Sequence, residues 1–93
     1  MNNDDLFCFS RKLRESREAA GYTQETLCHE LGLNKSRVSQ LEIGRDTAGR
    51  DLAIALAQIL KVPEQEMLEL ACKQALAAKA VMTRRRYGLP EQV

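Results

Sequence analysis

Glycines at positions 21, 32 and 44 bracket two stretches of ten and eleven residues, and in each the apolar side chains recur at helical spacing. Leu27, Cys28 and Leu31 give the first stretch an inward stripe, and Val38 with Leu41 does the same for the second. Helices this short are marginal alone, since an isolated helix needs roughly 12–15 residues before it holds in water. The pair must therefore pack against itself and against longer neighbours. Gly32, at the joint, reaches positive φ without steric cost, which a tight turn between two helices requires.

The neighbours are legible on both sides. Asp4 or Asp5 is placed to cap a first helix over about residues 6–20, with Leu6, Phe9, Leu13, Arg17 and Ala20 on one side and Gly21 as its stop. Thr23 stands where the N-cap of the second helix belongs, with Gln24 and Glu25 in its first turn. Asn34 is the expected N-cap of a third helix running over about 34–43, which Gly44 ends. Beyond a polar loop over 45–49, the run RDLAIALAQIL carries Leu52, Leu56, Ile59 and Leu60 and reads as a central fourth helix. Pro63 suits the opening of a fifth, and the chain then offers strong helix formers with no Gly or Pro until Gly88. At ~1.5 Å per residue that last helix is a rod of roughly 35 Å, long for so small a body. The final YGLPEQV reads as a frayed tail.

Composition agrees with an all-α fold around one core. The chain has 93 residues, 44% of them hydrophobic but only 4% aromatic, with no Trp, so aliphatic side chains on helices must fill the interior. Charged residues reach 29% yet nearly cancel at a net +1, and total charge does not announce a polyanion as partner. Their placement is uneven. Arg11, Lys12, Arg14 and Arg17 cluster early, Lys35, Arg37, Arg45 and Arg50 surround the glycine-linked pair, and Arg84–Arg86 form a late run; Glu64, Glu66 and Glu69 sit together elsewhere.

Several functions find no support. Cys8, Cys28 and Cys72 are an odd set without a C-x-x-C, which suggests neither a disulfide framework nor a zinc ribbon and favours a reducing compartment. The opening MNNDDLFCF lacks a basic lead before an apolar run, and no stretch approaches the ~18 apolar residues of a membrane span, so a cytoplasmic protein is expected. His29 beside Cys28 does not make a metal site, because adjacent helical residues diverge by about 100°. With one His and neither a nucleophile elbow nor a phosphate loop, no enzyme, metal or cofactor is expected.

Thr23, Gln24, Leu27, Cys28, Gly32, Leu33, Asn34, Val38, Leu41, Glu42, Gly44 and Arg45 stand in the register of a known motif. Over about residues 6–70 the chain resembles the helix-turn-helix proteins of the phage lambda-type repressor and Cro class, the XRE family. Cys28 stands where Ala is usual, a small side chain at the helix crossing. The resemblance implies a lambda-repressor-like DNA-binding domain of about five helices with an extended C-terminal helix. On this reading residues 1–5 are a flexible N-terminus, 6–70 the DNA-binding domain, 71–86 a helical extension for dimerisation and 87–93 a tail.

The outer side of the third helix carries Lys35, Ser36, Ser39 and Gln40, spaced i, i+1, i+4, i+5, with no carboxylate among them. A helix face of that kind suits a major groove. Lys35, Ser36 and Gln40 match family positions that read base edges, where Gln can pair with adenine and Lys with guanine, and Ser39 is a weaker candidate. By the same resemblance Gln24 and Asn34 are expected to meet phosphate, with Arg37, Arg45 and Arg50 adding charge. Ile43 departs from the pattern, because many relatives carry a polar phosphate contact there, and Asp46 opposes the nearby cations. Arg17 and Glu42 match a pair that in several relatives forms a buried salt bridge. Relatives dimerise through the segment after the fourth helix, and here Leu68, Ala71, Cys72, Ala75, Ala78 and Met82 recur on one side of the fifth. Arg84–Arg86 read as a solvated helix end favoured by the dipole.

The expected function is that of a DNA-binding transcriptional regulator, a repressor that binds double-stranded DNA at an inverted repeat as a homodimer. The alternative is an antitoxin or other protein-interaction module whose C-terminal helix binds a protein partner.

Overall fold

The computed structural model describes residues 3–90, and every regular element among them is an α-helix. They run α1 (Asn3–Ala19), α2 (Gln24–Leu31), α3 (Arg37–Glu42), α4 (Arg50–Leu60) and α5 (Glu64–Tyr87). Residues 1–2 of the expected N-terminal segment and 91–93 of the expected tail lie outside the described residues.

The bounds of α1 differ from those expected. α1 starts at Asn3, so Asp4 and Asp5 lie inside its first turn instead of capping it. Ala20, expected on the inward side, falls beyond the end of α1 and is exposed. The expected division at residue 70 falls inside α5, one continuous helix whose Met67, Ala71, Gln74 and Ala77 are buried. The C-terminal extension is therefore part of the core for half its length.

Phe9 and Leu13 of α1, Leu27 and Cys28 of α2, Val38 and Leu41 of α3, Ala53, Leu56, Ala57 and Leu60 of α4, and Met67 and Ala71 of α5 form one core. α1 lies at its centre, packed against α3, α4 and α5. α4 shows why its alanines matter: Ala53 and Ala57 alternate with Leu56 and Leu60 on the inward side, so the neighbouring helix can approach closely.

α5 is held on α1 by polar groups as well as by apolar burial. The Gln74 amide, 2% exposed, accepts the Ser10 backbone N–H at 2.9 Å and donates to Ser10 Oγ at 2.8 Å. Ser10 Oγ in turn donates to the carbonyl of Leu41 at the end of α3. Cys8 Sγ adds a contact to the Leu70 carbonyl at 3.4 Å. Buried polar groups are tolerated only when their bonds are made, and here one satisfied chain ties α5, α1 and α3 together.

Candidate nucleic-acid interface

The site is built on the joint between α2 and α3. Thr23 caps α2: its Oγ1 accepts the Thr26 N–H at 3.0 Å, while Thr26 Oγ1 accepts the Thr23 N–H at 2.9 Å. This reciprocal box fixes where α2 begins. α2 ends on Gly32, left-handed at φ +66°, which lets Leu33 N–H close back onto the Cys28 carbonyl at 2.9 Å. Cys28, 1% exposed, sits at the crossing and its Sγ lies 3.6 Å from the Lys35 carbonyl.

α3 is shorter than the sequence suggests. It begins at Arg37, with Ser36 and not Asn34 as its N-cap residue. Asn34 instead closes a side-chain turn: its Oδ1 accepts from Ser36 N–H and Ser36 Oγ, each at 3.1 Å, and its carbonyl accepts Arg37 N–H at 2.9 Å. Such a local side-chain turn competes with helix at the entry, which is why Lys35 and Ser36 lie on a turn that feeds the helix. Lys35, Ser36 and Gln40 are exposed side by side at its mouth and first turn, whereas Ser39 is half-buried.

The residues expected to meet phosphate divide into two groups. Asn34, Arg45 and Arg50 are exposed. Arg37 is not a free cation: its Nε lies 2.6 Å from Asp46 Oδ2, with the N–H not aimed for a hydrogen bond, so the contact is Coulombic and cancels its charge locally. Gln24 is likewise engaged, donating through Nε2 to Glu42 Oε1 at 3.0 Å.

That carboxylate also holds Arg17. Nε donates to Glu42 Oε2 at 2.6 Å and Nη2 to Oε1 at 3.2 Å, while Nη1 reaches the Tyr22 carbonyl at 2.8 Å. The side chains are 11% and 3% exposed. Hydrogen bonding to Glu42 raises the Arg17 pKa, against the opposing effect of burial. The pair joins the end of α1 to the end of α3, and through Gln24 to the start of α2. It thus fixes the angle between the elements that carry the exposed polar face.

Gly44 closes that end of the site. Its φ is +81°, and a Cβ there would lie 2.9 Å from Phe7 Cε1 and 3.1 Å from Phe7 Cδ1. Gly44→Ala is expected to cost about 1–3 kcal/mol through the strained left-handed backbone, plus displacement of the Phe7 ring. Urea denaturation of Gly44→Ala, alone and with Phe7→Ala, separates the two: the second substitution relieves only the steric part. An unchanged midpoint in the single variant would show the turn to be free of this constraint. Ile43 stands 52% exposed next to this turn, an apolar surface where the resemblance leads one to expect a polar one.

On α5 the expected dimer stripe is divided. Ala71 is 6% exposed and belongs to the protein's own core, and Leu68 packs against that core. Ala75 and Ala78 are half-buried, while Cys72 and Met82 are exposed. Cys28 and His29 diverge, one buried and the other exposed. Ser10 and Gln74 were not legible as interior positions, because nothing in an alanine-rich helix marks one Gln as its inward residue. Helical spacing from Ala71 and Ala77 was the available signal.

Comparison with curated proteins and with solved structures brought no match. A family model described as a helix-turn-helix domain matches residues 9–70, well over half of the chain. Those residues contain the capped α2, the Gly32 turn and α3, together with most of α1, all of α4 and the first turns of α5. By this match and by its five-helix, lambda-repressor-like architecture, the chain belongs to the helix-turn-helix domain family of DNA-binding proteins.

Proposed function

We propose that the protein is a sequence-specific transcriptional regulator, a repressor acting in the cytoplasm, that binds an inverted-repeat operator as a homodimer with α3 in the major groove. The observation that carries this reading is the uncovered face of Lys35, Ser36 and Gln40, free of carboxylates and mounted on a rigid two-helix unit. Lys35 and Gln40 supply the donors and acceptors that base edges demand, with Ser36 and Ser39 beside them. Asn34, Arg45 and Arg50 orient the domain on phosphates, and Gln24 contributes from the start of α2. One such domain spans a few base pairs, so specificity calls for two copies reading half-sites about 34 Å apart. The exposed part of α5 around Cys72, Ala75, Ala78 and Met82 is the surface for that pairing.

Selection from random duplex DNA at stated salt tests the assignment. Lys35→Ala and Gln40→Ala are each expected to lose about 1–3 kcal/mol of affinity for the selected site and to relax the preference at one base position. An unchanged selected sequence in both variants would remove base reading from these residues. Uniform weakening across sequences would make them phosphate contacts instead.

A protein-interaction role has one observation in its favour: Leu76, Met82 and Tyr87 in the second half of α5 and Leu89 just beyond it are more than half exposed. Sedimentation of the purified chain discriminates. A stable dimer that covers these side chains supports the repressor reading, and a monomer that leaves them open supports an antitoxin-like partner for α5.

A further inference from the structure

We propose that the second half of α5 extends the DNA contact beyond α3, with Lys79, Arg85 and Arg86 meeting phosphates that flank the half-site. This rests on the DNA-binding reading above. α5 is electrically divided along its length. Its opening carries Glu64, Glu66 and Glu69, whereas from Leu70 to Pro90 the chain has Lys73, Lys79 and Arg84–Arg86 and no carboxylate. The helix dipole favours cations only in the last turn, and Lys79 lies further back.

Position decides what these cations can reach. Ala48, near the end of the loop that follows α3, and Arg50, the first residue of α4, line a depression with Leu68, Ala71, Cys72 and Ala75 of α5. Thr47, one residue back on that loop, lines a groove of about 780 Å³ with Ala75, Lys79, Met82, Arg85 and Arg86. Ala75 is common to both, so the two depressions adjoin and the cations of α5 lie on the same side as Arg50 and the loop after α3. Arg45 stands exposed on the same loop, three residues beyond α3.

The strip is uncovered and unopposed. Lys79, Arg85 and Arg86 are exposed, and none has an ion-pair partner among the described residues. Of the carboxylates beside the loop, Asp46 is taken by Arg37, and Asp51, next to Arg50, is the one left exposed. Pairing of two α5 helices through Cys72, Ala75, Ala78 and Met82 uses the apolar side chains of this groove and not its cations. Of the carboxylates that a second α5 could offer them, Glu66 is already paired with Lys12 at 2.9 Å, which leaves Glu64 and Glu69. A duplex presents one negative charge per ~1.7 Å of axis, and a cationic strip beside the loop after α3 matches it.

The test is the salt dependence of binding to the selected duplex, measured with long flanks and with the flanks removed. For Lys79→Gln/Arg85→Gln/Arg86→Gln, all at exposed helix positions, the slope of log K against log salt on the long duplex is expected to fall by about 0.9 for each phosphate that the variant no longer neutralises. On the trimmed duplex the variant and the parent should agree. Arg45→Gln serves as the reference and should lower the slope on both. If Arg45→Gln acts and the triple variant leaves the long-duplex slope unchanged, this inference fails and the DNA-binding reading stands. A shifted monomer–dimer equilibrium with an unchanged slope also overturns it, by assigning the cations to a second copy. If the parent protein binds no duplex at any salt, both readings fail.

Discussion

Glu42→Ala is expected to lower folding stability by about 3–5 kcal/mol, the range found when one partner of a buried ion pair is removed. The carboxylate is 3% exposed and answers three donors: Arg17 Nε at 2.6 Å, Arg17 Nη2 at 3.2 Å and Gln24 Nε2 at 3.0 Å. Without it the Arg17 guanidinium, 11% exposed, keeps only the Tyr22 carbonyl and a distant Glu18. Most of the loss is the stranded charge, not the net worth of the pair. The double variant Arg17→Met/Glu42→Leu should therefore recover a large part of it, and urea unfolding of the three variants measures the difference. If Glu42→Ala alone matches the parent, solvent reaches this site more freely than the burial implies. The pair brings little pH dependence from its cationic side. Glu42 raises the Arg17 pKa above its ordinary value, and stability from a raised cation is complete below the unfolded value. It is lost only as pH climbs through the folded value, far above neutrality.

Leu13→Ala should cost about 2–5 kcal/mol, the range for truncating a buried Leu to Ala. Leu13 is fully buried on α1, the helix that packs against α3, α4 and α5 at once. A cavity there cannot close by the movement of one neighbour, because α5 is pinned to α1 by the Gln74–Ser10 bonds and α3 by the Arg17–Glu42 pair. The expected loss thus lies toward the upper end of the range. Domains of this size hold only about 5–15 kcal/mol in total. Thermal unfolding followed by circular dichroism, with Leu13→Met as a volume-conserving control, reads the effect. A Leu13→Ala loss no larger than that of Leu13→Met would mean that the core can collapse around the gap.

Both effects bear on the exposed polar face through geometry. The Arg17–Glu42–Gln24 contacts set the attitude of α3 against α1 and α2, and Ser10 holds the Leu41 carbonyl at the end of α3. Six residues of helix cannot hold themselves in place, so the face presented by Lys35 and Gln40 depends on these remote contacts.

The number and order of the helices were legible in the chain, because apolar spacing, Thr23, Gly32, Gly44 and Pro63 are local signals with local consequences. It was less informative where two local preferences compete. Asn34 can cap a helix or close a turn on Ser36, and the turn prevails; α4 stops at Lys61, left-handed at φ +58° without a glycine to announce it. Tertiary structure alone decided which polar side chains were spent inside. Gln74 and Ser10 went into the core, Arg37 was cancelled by Asp46, and Ala71 was drawn from the expected dimer stripe into the protein's own interior. The physical reason is that periodicity ranks the faces of one helix, whereas burial and pairing depend on what other helices bring within a few ångströms.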